Sequence, residues 1–186
     1  MIENHLKGKG IIDLDIYLVR HAEAIERTEG LDDELRYLTR KGRIQAAKQA
    51  KNLKKKIRPE LIVTSPLVRA VQTAELLALK VGKGIVVTAH SCLGTDAEAE
   101  QVIDMINDLS KLKSIMLVGH EPQLSRVAAL LLGFEHVAPL HKGGCMALSW
   151  KPKKCYSNAI FKWYTINGKK LATTARKVRI RKTSRG

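Results

Sequence analysis

The sequence predicts a three-layer α/β/α fold with a mostly parallel central sheet, and two observations support this. Short apolar runs typical of buried strands alternate with longer segments that repeat apolar residues at helical spacing. Such alternation favours a parallel sheet with helices on both faces. The chain has 186 residues, 45% of them hydrophobic, which is enough for one domain with a core and too short for two large ones.

Apolar runs bounded by polar or turn residues predict six strands. They lie at Ile16–Val19, Leu61–Thr64, Ile85–Thr88, Ile115–Val118, Cys145–Trp150 and Ile160–Ile166. The first helix is expected in the segment after Thr39, where the apolar residues Ala46, Ala50, Leu53 and Ile57 share one face and lysines cover much of the rest.

The other three helices have clearer ends. Ser65 is the expected N-cap of the second helix and Pro66 its first residue. The third is expected from Ala97 to Leu109, and the fourth from Pro122 to a stop at Gly133.

Composition narrows the classes of function. Aromatic residues make up 4% of the chain, which argues against a stacking platform for single-stranded nucleic acid. The three cysteines are widely spaced and form no CxxC pair, so we expect reduced packing thiols rather than disulfides or a zinc site. Without a membrane-length apolar run or a signal-peptide pattern, a cytoplasmic protein that does not bind membranes is expected.

The net charge of +15 is concentrated toward the C-terminus. Residues 169–186 hold eight Lys or Arg and no acidic residue. We therefore divide the chain into an N-terminal extension (1–14), a domain (15–168) and a basic tail (169–186). Two interpretations of the tail stay open: a solvated, frayed end, or an anchor for an acidic partner or a polyanion such as RNA or polyphosphate.

Three predicted strands end in residues suited to chemistry. Arg20 and His21 follow the first strand, Ser65 to Arg69 follow the second, and Gly119, His120 and Glu121 follow the strand IMLV. In an open α/β sheet, sites form in the crevice beyond the carboxyl ends of the strands. These residues are therefore expected to meet in one site.

Two arginines and two histidines without an acidic ligand cluster indicate a pocket for a phosphoryl group. Guanidinium groups bind phosphate oxygens in pairs, and a helix N-terminus adds positive potential. A neutral imidazole can take the phosphoryl group and then lose it to water, and His21 is the better placed of the two histidines. No metal site or other cofactor is expected, because the sequence lacks nucleotide-loop and metal-ligand motifs.

Four motifs carry a family resemblance. LVRHAEA, YLTRKG, TSPLVRAVQTAE and VGHEP, in this order, resemble the histidine phosphatase superfamily with its phosphoglycerate mutase-like fold, and their spacing resembles its compact SixA-type phosphohistidine phosphatases. The resemblance covers about Asp15 to Ile166. Many members have glycine after the histidine, giving an RHG motif, whereas this chain has Ala22, which we expect to be tolerated.

The resemblance implies that His21 is the phosphorylated nucleophile and that Arg20, Arg69 and His120 complete the phosphate pocket. The general acid stays open. Glu121 occupies the position used in one branch of the superfamily, but a glutamate that only caps the Pro122 helix explains it equally well. The rivals are the acidic residues Glu23, Asp96, Glu98 and Glu100.

The sequence is compatible with three functions. The first is a metal-independent phosphatase of phosphohistidine in a protein, acting through a phosphohistidine enzyme intermediate. The second keeps the chemistry but acts on a small phosphomonoester, such as a sugar phosphate or a nucleotide. The third is a non-catalytic polyanion-binding module that uses the basic tail and the lysine-rich first helix. The sequence does not indicate an oligomeric state.

Overall fold

The computed structural model describes residues 13–82, 84–152, 157–167 and 169–178. In this part, four α-helices accompany one sheet of seven strands. The strands are β1 (Leu14–Arg20), β2 (Leu61–Thr64), β3 (Val86–Ala89), β4 (Ser114–Gly119), β5 (Gly144–Trp150), β6 (Ile160–Ile166) and β7 (Lys169–Ala172). The helices are α1 (Arg40–Leu53), α2 (Val68–Val81), α3 (Ala99–Asp108) and α4 (Gln123–Leu132).

The sheet has the order β3-β2-β4-β1-β5-β6-β7. The first four strands in the chain are parallel to one another, whereas β5 is antiparallel to β1, β6 to β5, and β7 to β6. Five of the seven strands therefore point the same way, and the predicted fold class is confirmed. The central pair β1 and β4 is in register at Arg20 and Gly119, so both strands end at the same edge.

Helices cover both faces of the sheet. Ala50 and Leu53 of α1 pack with Ala74 and Leu77 of α2 against one face. Val102 and Ile106 of α3 and the apolar residues of α4 form the larger core on the other face, which also buries Trp150 of β5. The central strands β1, β4 and β5 are buried along almost their whole length because helices cover both faces of the sheet, as the sequence predicted.

Two features differ from the sequence prediction. The second helix begins at Val68, so the prediction of Ser65 as N-cap and Pro66 as first residue was wrong: Leu67 is the N-cap, and the Ser65 side chain binds elsewhere. The seventh strand was not predicted. Lys169–Ala172 pairs with β6, and Val178 is buried in the larger core, so the first part of the proposed tail packs on the domain.

Several smaller predictions can also be placed. Cys92 and Cys145 are buried free thiols, as expected, whereas Cys155 lies outside the described residues. Residues 1–12 and 179–186 also lie outside them, so most of the proposed extension and the last part of the tail are not described. Within the described ranges, no helix has the length and apolar character needed to cross a bilayer.

Candidate active site

The carboxyl ends of three adjacent strands bring the predicted residues together. The main-chain N–H of His21 donates to Gly119 O (3.1 Å), and that of Ser65 donates to Val118 O (2.9 Å), so β1, β2 and β4 end side by side. The rings of His21 and His120 lie with their centroids 5.0 Å apart. The predicted convergence of the two histidines is therefore present.

The orientation of the His21 ring is fixed by its own loop. Its Nδ1 lies 2.7 Å from the carbonyl oxygen of Ala22. A carbonyl oxygen only accepts hydrogen bonds, so the neutral ring carries its proton on Nδ1 and keeps a lone pair on Nε2. Among the described residues, no group hydrogen-bonds Nε2. The ring thus presents an unprotonated nitrogen that is free to react.

Burial keeps both histidines neutral. Desolvation, the neighbouring His120 ring and the charges of Arg69 and Arg20 lower the pKa of His21 to about 3, although its bond to the Ala22 carbonyl opposes this. Desolvation followed by the Arg69 charge lowers the pKa of His120 to about 4, against a smaller opposing effect of Asp33. Both imidazoles are therefore uncharged at neutral pH.

His120 is held by Ser65, the residue that the sequence assigned to helix capping. His120 Nε2 lies 2.8 Å from Ser65 Oγ. The Leu67 N–H also donates to this hydroxyl at 3.3 Å, so Ser65 links His120 to the segment that enters α2.

Arg20 contributes a buried hydrogen-bond donor at the end of β1. Its Nη1 donates to Leu140 O at 2.8 Å, which fixes the side chain. Its Nε is buried and has no hydrogen-bond partner among the described residues. An unsatisfied guanidinium N–H at this strand end is what an anion site requires, because a bound phosphate oxygen would satisfy it.

Arg69 lies in the first turn of α2, and Asp33 fixes it there. Its Nη1 donates to the main-chain oxygen of Asp33 (2.6 Å), and its Nη2 donates to Asp33 Oδ2 (2.8 Å). The Arg69 side chain is only 4% exposed. A guanidinium has five N–H donors. Two are used by Asp33, which leaves up to three for an anion.

The Asp33 carboxylate holds two further arginines. Its Oδ1 accepts from Arg36 Nη1 at 2.7 Å and from Arg27 Nε at 2.9 Å. Burial by itself raises the pKa of Asp33, but the hydrogen bonds from Arg36, Arg27 and Arg69 outweigh it and hold the pKa well below its usual range. One carboxylate among three guanidinium groups leaves the cluster positively charged.

Glu121 follows His120, but both of its carboxylate oxygens are already engaged. Oε2 accepts from Ser125 Oγ at 2.6 Å, and Oε1 accepts from the Leu140 N–H at 2.9 Å. Burial raises the pKa of Glu121, partly offset by these hydrogen bonds. The Ser125 N–H, 3.4 Å from Oε2, gives Glu121 a weak capping contact with α4. The contacts of Glu121 are therefore compatible with both of its interpretations, as general acid and as helix cap.

The rival carboxylates have other contacts. Glu23 pairs with Lys41 at 2.7 Å and accepts from Thr39, at the start of α1. Glu98 lies 3.8 Å from Arg126 and forms a capping box at the start of α3. Asp96 lines a groove of about 670 Å³ beside Pro66 and His90, and Glu100 is an exposed residue in the first turn of α3.

Ala22 is accommodated where many relatives have glycine. Its side chain is fully buried with Leu38 and Ala46 in a small apolar cluster, and its N–H donates to Thr73 Oγ1 at 3.1 Å. The methyl group lies within this cluster, and the tolerance of alanine at this position stays a prediction.

Sequence reasoning missed Asp33 and Arg36 and misassigned Ser65. Asp33 and Arg36 lie in and next to a 3₁₀ helix, Asp33–Leu35, within an irregular segment. The segment GLDDELRYLT shows neither strand nor helix periodicity, so no pattern linked it to Arg69, 36 residues away. The only sequence signal was the presence of two adjacent aspartates in a strongly basic chain.

Comparisons with known proteins agree with this architecture. The model of the histidine phosphatase superfamily (branch 1) matches residues 16–94. A search of curated protein sequences found no significant match. The structure of the protein histidine phosphatase SixA complexed with tungstate is similar with a TM-score of 0.75 and 20% identity, over 82% of this chain and 97% of that one.

Other solved structures share the fold. A protein of Agrobacterium tumefaciens assigned as the phosphohistidine phosphatase SixA gives a TM-score of 0.69 and 22% identity, over 81% of this chain and 96% of that one. A mycobacterial glucosyl-3-phosphoglycerate phosphatase gives 0.57 and 20%, over 74% and 90%. The chain therefore has the phosphoglycerate mutase-like fold, and its resemblance to the histidine phosphatase superfamily is confirmed.

Proposed function

We propose that the chain is a metal-independent phosphatase that removes the phosphoryl group from phosphohistidine in a protein, through a phosphohistidine intermediate on His21. The superfamily match implies phosphatase activity. The observation that carries the mechanism is the His21 ring. Its Nδ1 proton is held by the Ala22 carbonyl, and no described residue hydrogen-bonds its Nε2, which lies near Arg20, Arg69 and His120.

In the first step, His21 Nε2 attacks phosphorus. A bond forms from Nε2 to phosphorus while the bond from phosphorus to the substrate imidazole breaks. That imidazole leaves with the electron pair and takes up one proton from solvent. Arg20 Nε and the remaining Arg69 donors would bind the equatorial phosphoryl oxygens, where charge is concentrated during in-line transfer. In the second step, water attacks the phosphorus on His21, and the bond from phosphorus to Nε2 breaks with its electron pair returning to Nε2. Phosphate is released and one proton passes to solvent.

His120 is suited to bind the phosphoryl group as a hydrogen-bond donor. In the neutral ring only one nitrogen carries a proton. If Ser65 donates its hydroxyl proton to His120 Nε2, His120 Nδ1–H is available to a phosphoryl oxygen. The bond to Ser65 would thereby set the tautomer of His120, as the Ala22 carbonyl does for His21.

The state of Glu121 supports phosphohistidine over an alkyl phosphate. An alkoxide leaving group needs a proton from a nearby acid, and both oxygens of Glu121 are held by Ser125 and Leu140. A substrate imidazole is a better leaving group than an alkoxide and depends less on such an acid. The tightly held Glu121 is therefore compatible with a phosphohistidine substrate.

Short connections at the site favour a protein substrate. Only residues 65–67 separate β2 from α2, and only residues 90–98 separate β3 from α3. These connections leave no space for a lid domain at those two strand ends. The phosphohistidine of a folded protein could therefore approach His21 from outside.

A small phosphomonoester is the second candidate substrate. The groove of about 670 Å³ that includes Pro66, Leu67 and His90 adjoins the Ser65 end of the site and is large enough for a sugar or nucleoside. Relatives of the same fold include a glucosyl-3-phosphoglycerate phosphatase. In this alternative, the phosphoryl group binds as above and the rest of the substrate lies in the groove.

A comparison of substrates tests the proposal. We would measure kcat/KM with chelator present, on a histidine-phosphorylated protein and on a panel of sugar phosphates and nucleotides. The parent protein is expected to prefer the phosphoprotein, His21→Ala to lose activity on all substrates, and the surface control His136→Ala to match the parent. Preference for one monoester would select the second candidate. A His21→Ala variant as active as the parent would exclude both.

A further inference from the structure

The exposed face of α1 and the turn after it carries an unusual concentration of positive charge. Between residues 40 and 58 the chain has nine Lys or Arg and no Asp or Glu. All nine are exposed: Arg40, Lys41, Arg43, Lys48, Lys51, Lys54, Lys55, Lys56 and Arg58. We call this surface the basic strip.

Among the described residues, the basic strip has few acidic partners. Lys41 makes an ion pair with Glu23, and within the described part of the chain no other residue of the strip has an acidic partner within 4.0 Å. Lys48 and Lys51 are neighbours on the surface of α1, three residues apart, and their like charges repel. A helix face that served only to keep the protein in solution would be more stable with acidic residues among the basic ones, and this face has none.

The strip begins at the rim of the active site. Thr39, the N-cap of α1, donates its N–H to Glu23 O at 3.0 Å, and Gln45 accepts from the Glu23 N–H at 3.3 Å. Glu23 lies two residues after His21. A helix of 14 residues is about 21 Å long, so the part of the strip on α1 extends about that far from the rim of the active site.

On the opposite face of the sheet, the segment that includes α3 carries the opposite charge. Residues 96–108, which include α3, hold five acidic residues and no Lys or Arg. Because α1 and α3 pack on different faces of the sheet, the active-site edge lies between a basic side and an acidic side. An approaching acidic protein would be attracted toward α1 and repelled from α3, which defines how it would be oriented at His21.

The composition of the strip favours a protein partner over nucleic acid. Residues 40–58 contain no aromatic side chain on which a base could stack. Six of the nine cations are lysines, which lack the bidentate phosphate recognition of arginine. A surface of carboxylates needs neither stacking nor paired donors and matches the strip by charge alone.

We propose that the basic strip docks an acidic surface of the phosphohistidine-bearing substrate protein next to the active site. This inference rests on the proposed function, because it takes a phosphohistidine-bearing protein as the substrate. It adds a second contact with that protein, outside the phosphate pocket. It differs from recruitment by the C-terminal tail, since the strip belongs to the folded domain and contacts the loop after His21.

The test compares two triple variants with the same change of charge. The strip variant is Lys48→Glu, Lys51→Glu and Lys55→Glu, and the control is Lys80→Glu, Lys111→Glu and Lys162→Glu, at exposed positions outside the strip. For parent and variants we would measure kcat/KM on para-nitrophenyl phosphate and on a strongly acidic histidine-phosphorylated protein. Binding of the same protein without its phosphoryl group, and of an RNA oligonucleotide, would be measured by titration calorimetry.

The strip variant is expected to lose about tenfold or more in kcat/KM and in affinity for the acidic protein, a loss that shrinks at high salt. Its activity on para-nitrophenyl phosphate and its unfolding curve should match those of the control. Equal losses in both variants, or none, would overturn the docking inference while leaving the phosphatase proposal intact. RNA binding that exceeds protein binding and is lost in the strip variant would also overturn it. Parent protein that binds the acidic protein but does not dephosphorylate it would refute the proposed function alone.

Discussion

The most informative prediction concerns the protonation of His21 as the pH is lowered. A histidine with the usual pKa of about 6.5 is about 76% neutral at pH 7 and about 3% neutral at pH 5, a loss of roughly 25-fold in nucleophile. Burial and neighbouring cations lower the pKa of His21 to about 3. At pH 5 the ring therefore stays about 99% neutral, and the nucleophile is retained.

The same shift makes folding stability depend on pH. Between pH 6.5 and 3 the unfolded chain protonates His21 and the folded chain does not, so the unfolded state binds more protons and stability falls as the pH falls. From His21 alone the loss of unfolding free energy is about 1.4 kcal/mol per pH unit, or about 2 kcal/mol at pH 5. His120, with its pKa lowered to about 4, adds a loss of the same sign.

Two assays test these numbers. Proton–nitrogen correlation spectra of protein labelled on its histidine rings would follow His21 from pH 7.5 to 4, with protein in concentrated urea as the unfolded reference. Urea unfolding of the parent and of His21→Gln would measure stability over the same range, and the parent should lose about 2 kcal/mol more than the variant between pH 7 and pH 5. A His21 ring that titrates near pH 6.5, together with equal pH slopes in both proteins, would refute the argument from burial.

Three further substitutions test other parts of the site. Asp33→Asn removes the negative charge that holds Arg69, so we expect the free energy of unfolding in urea to fall by about 1.5–3 kcal/mol. Competitive inhibition by inorganic phosphate should become weaker. Tighter inhibition would mean that Asp33 blocks the site. Glu121→Gln should leave the turnover of phosphohistidine within about twofold of the parent value. If Glu121 donates a proton, the same variant should lower the turnover of an alkyl phosphate by about 10². Equal losses on both substrates would assign Glu121 a structural role. Gly42→Ala brings a Cβ into steric conflict with the carbonyl oxygen of Glu23, so we expect the free energy of unfolding to fall by about 1–3 kcal/mol. A urea unfolding curve like that of the parent would show that the backbone adjusts to the added methyl group.

The residues that the sequence predicted well are those that follow parallel strands ending at the same edge of the sheet. Arg20, His21 and His120 each follow an apolar run, and the rule that parallel strands end at one edge was enough to bring the histidines together. Arg69 was predicted from its motif, but its nearly complete burial was not, since an arginine in the first turn of a helix is usually exposed.

The residues that the sequence did not predict depend on contacts across the fold. Ser65 fits an N-cap by its position before a proline, yet in the structure its hydroxyl binds His120, because β4 places that ring beside it. Asp33 interacts with Arg69 only after the segment before α1 folds over the start of α2. The short polar strand β7, KKLA, has no alternation that would separate it from a basic tail, and its pairing with β6 comes from tertiary structure.

The central claim is that His21 carries the phosphoryl group during turnover. The most direct measurement is to mix the protein with a histidine-phosphorylated protein, quench at neutral to alkaline pH, where phosphohistidine survives, and determine the intact mass and the modified peptide. The account predicts a transient gain of one phosphoryl group, located on the peptide that contains His21, present in His136→Ala and absent in His21→Ala. Phosphate release without any adduct, or an adduct that persists in His21→Ala, would contradict it.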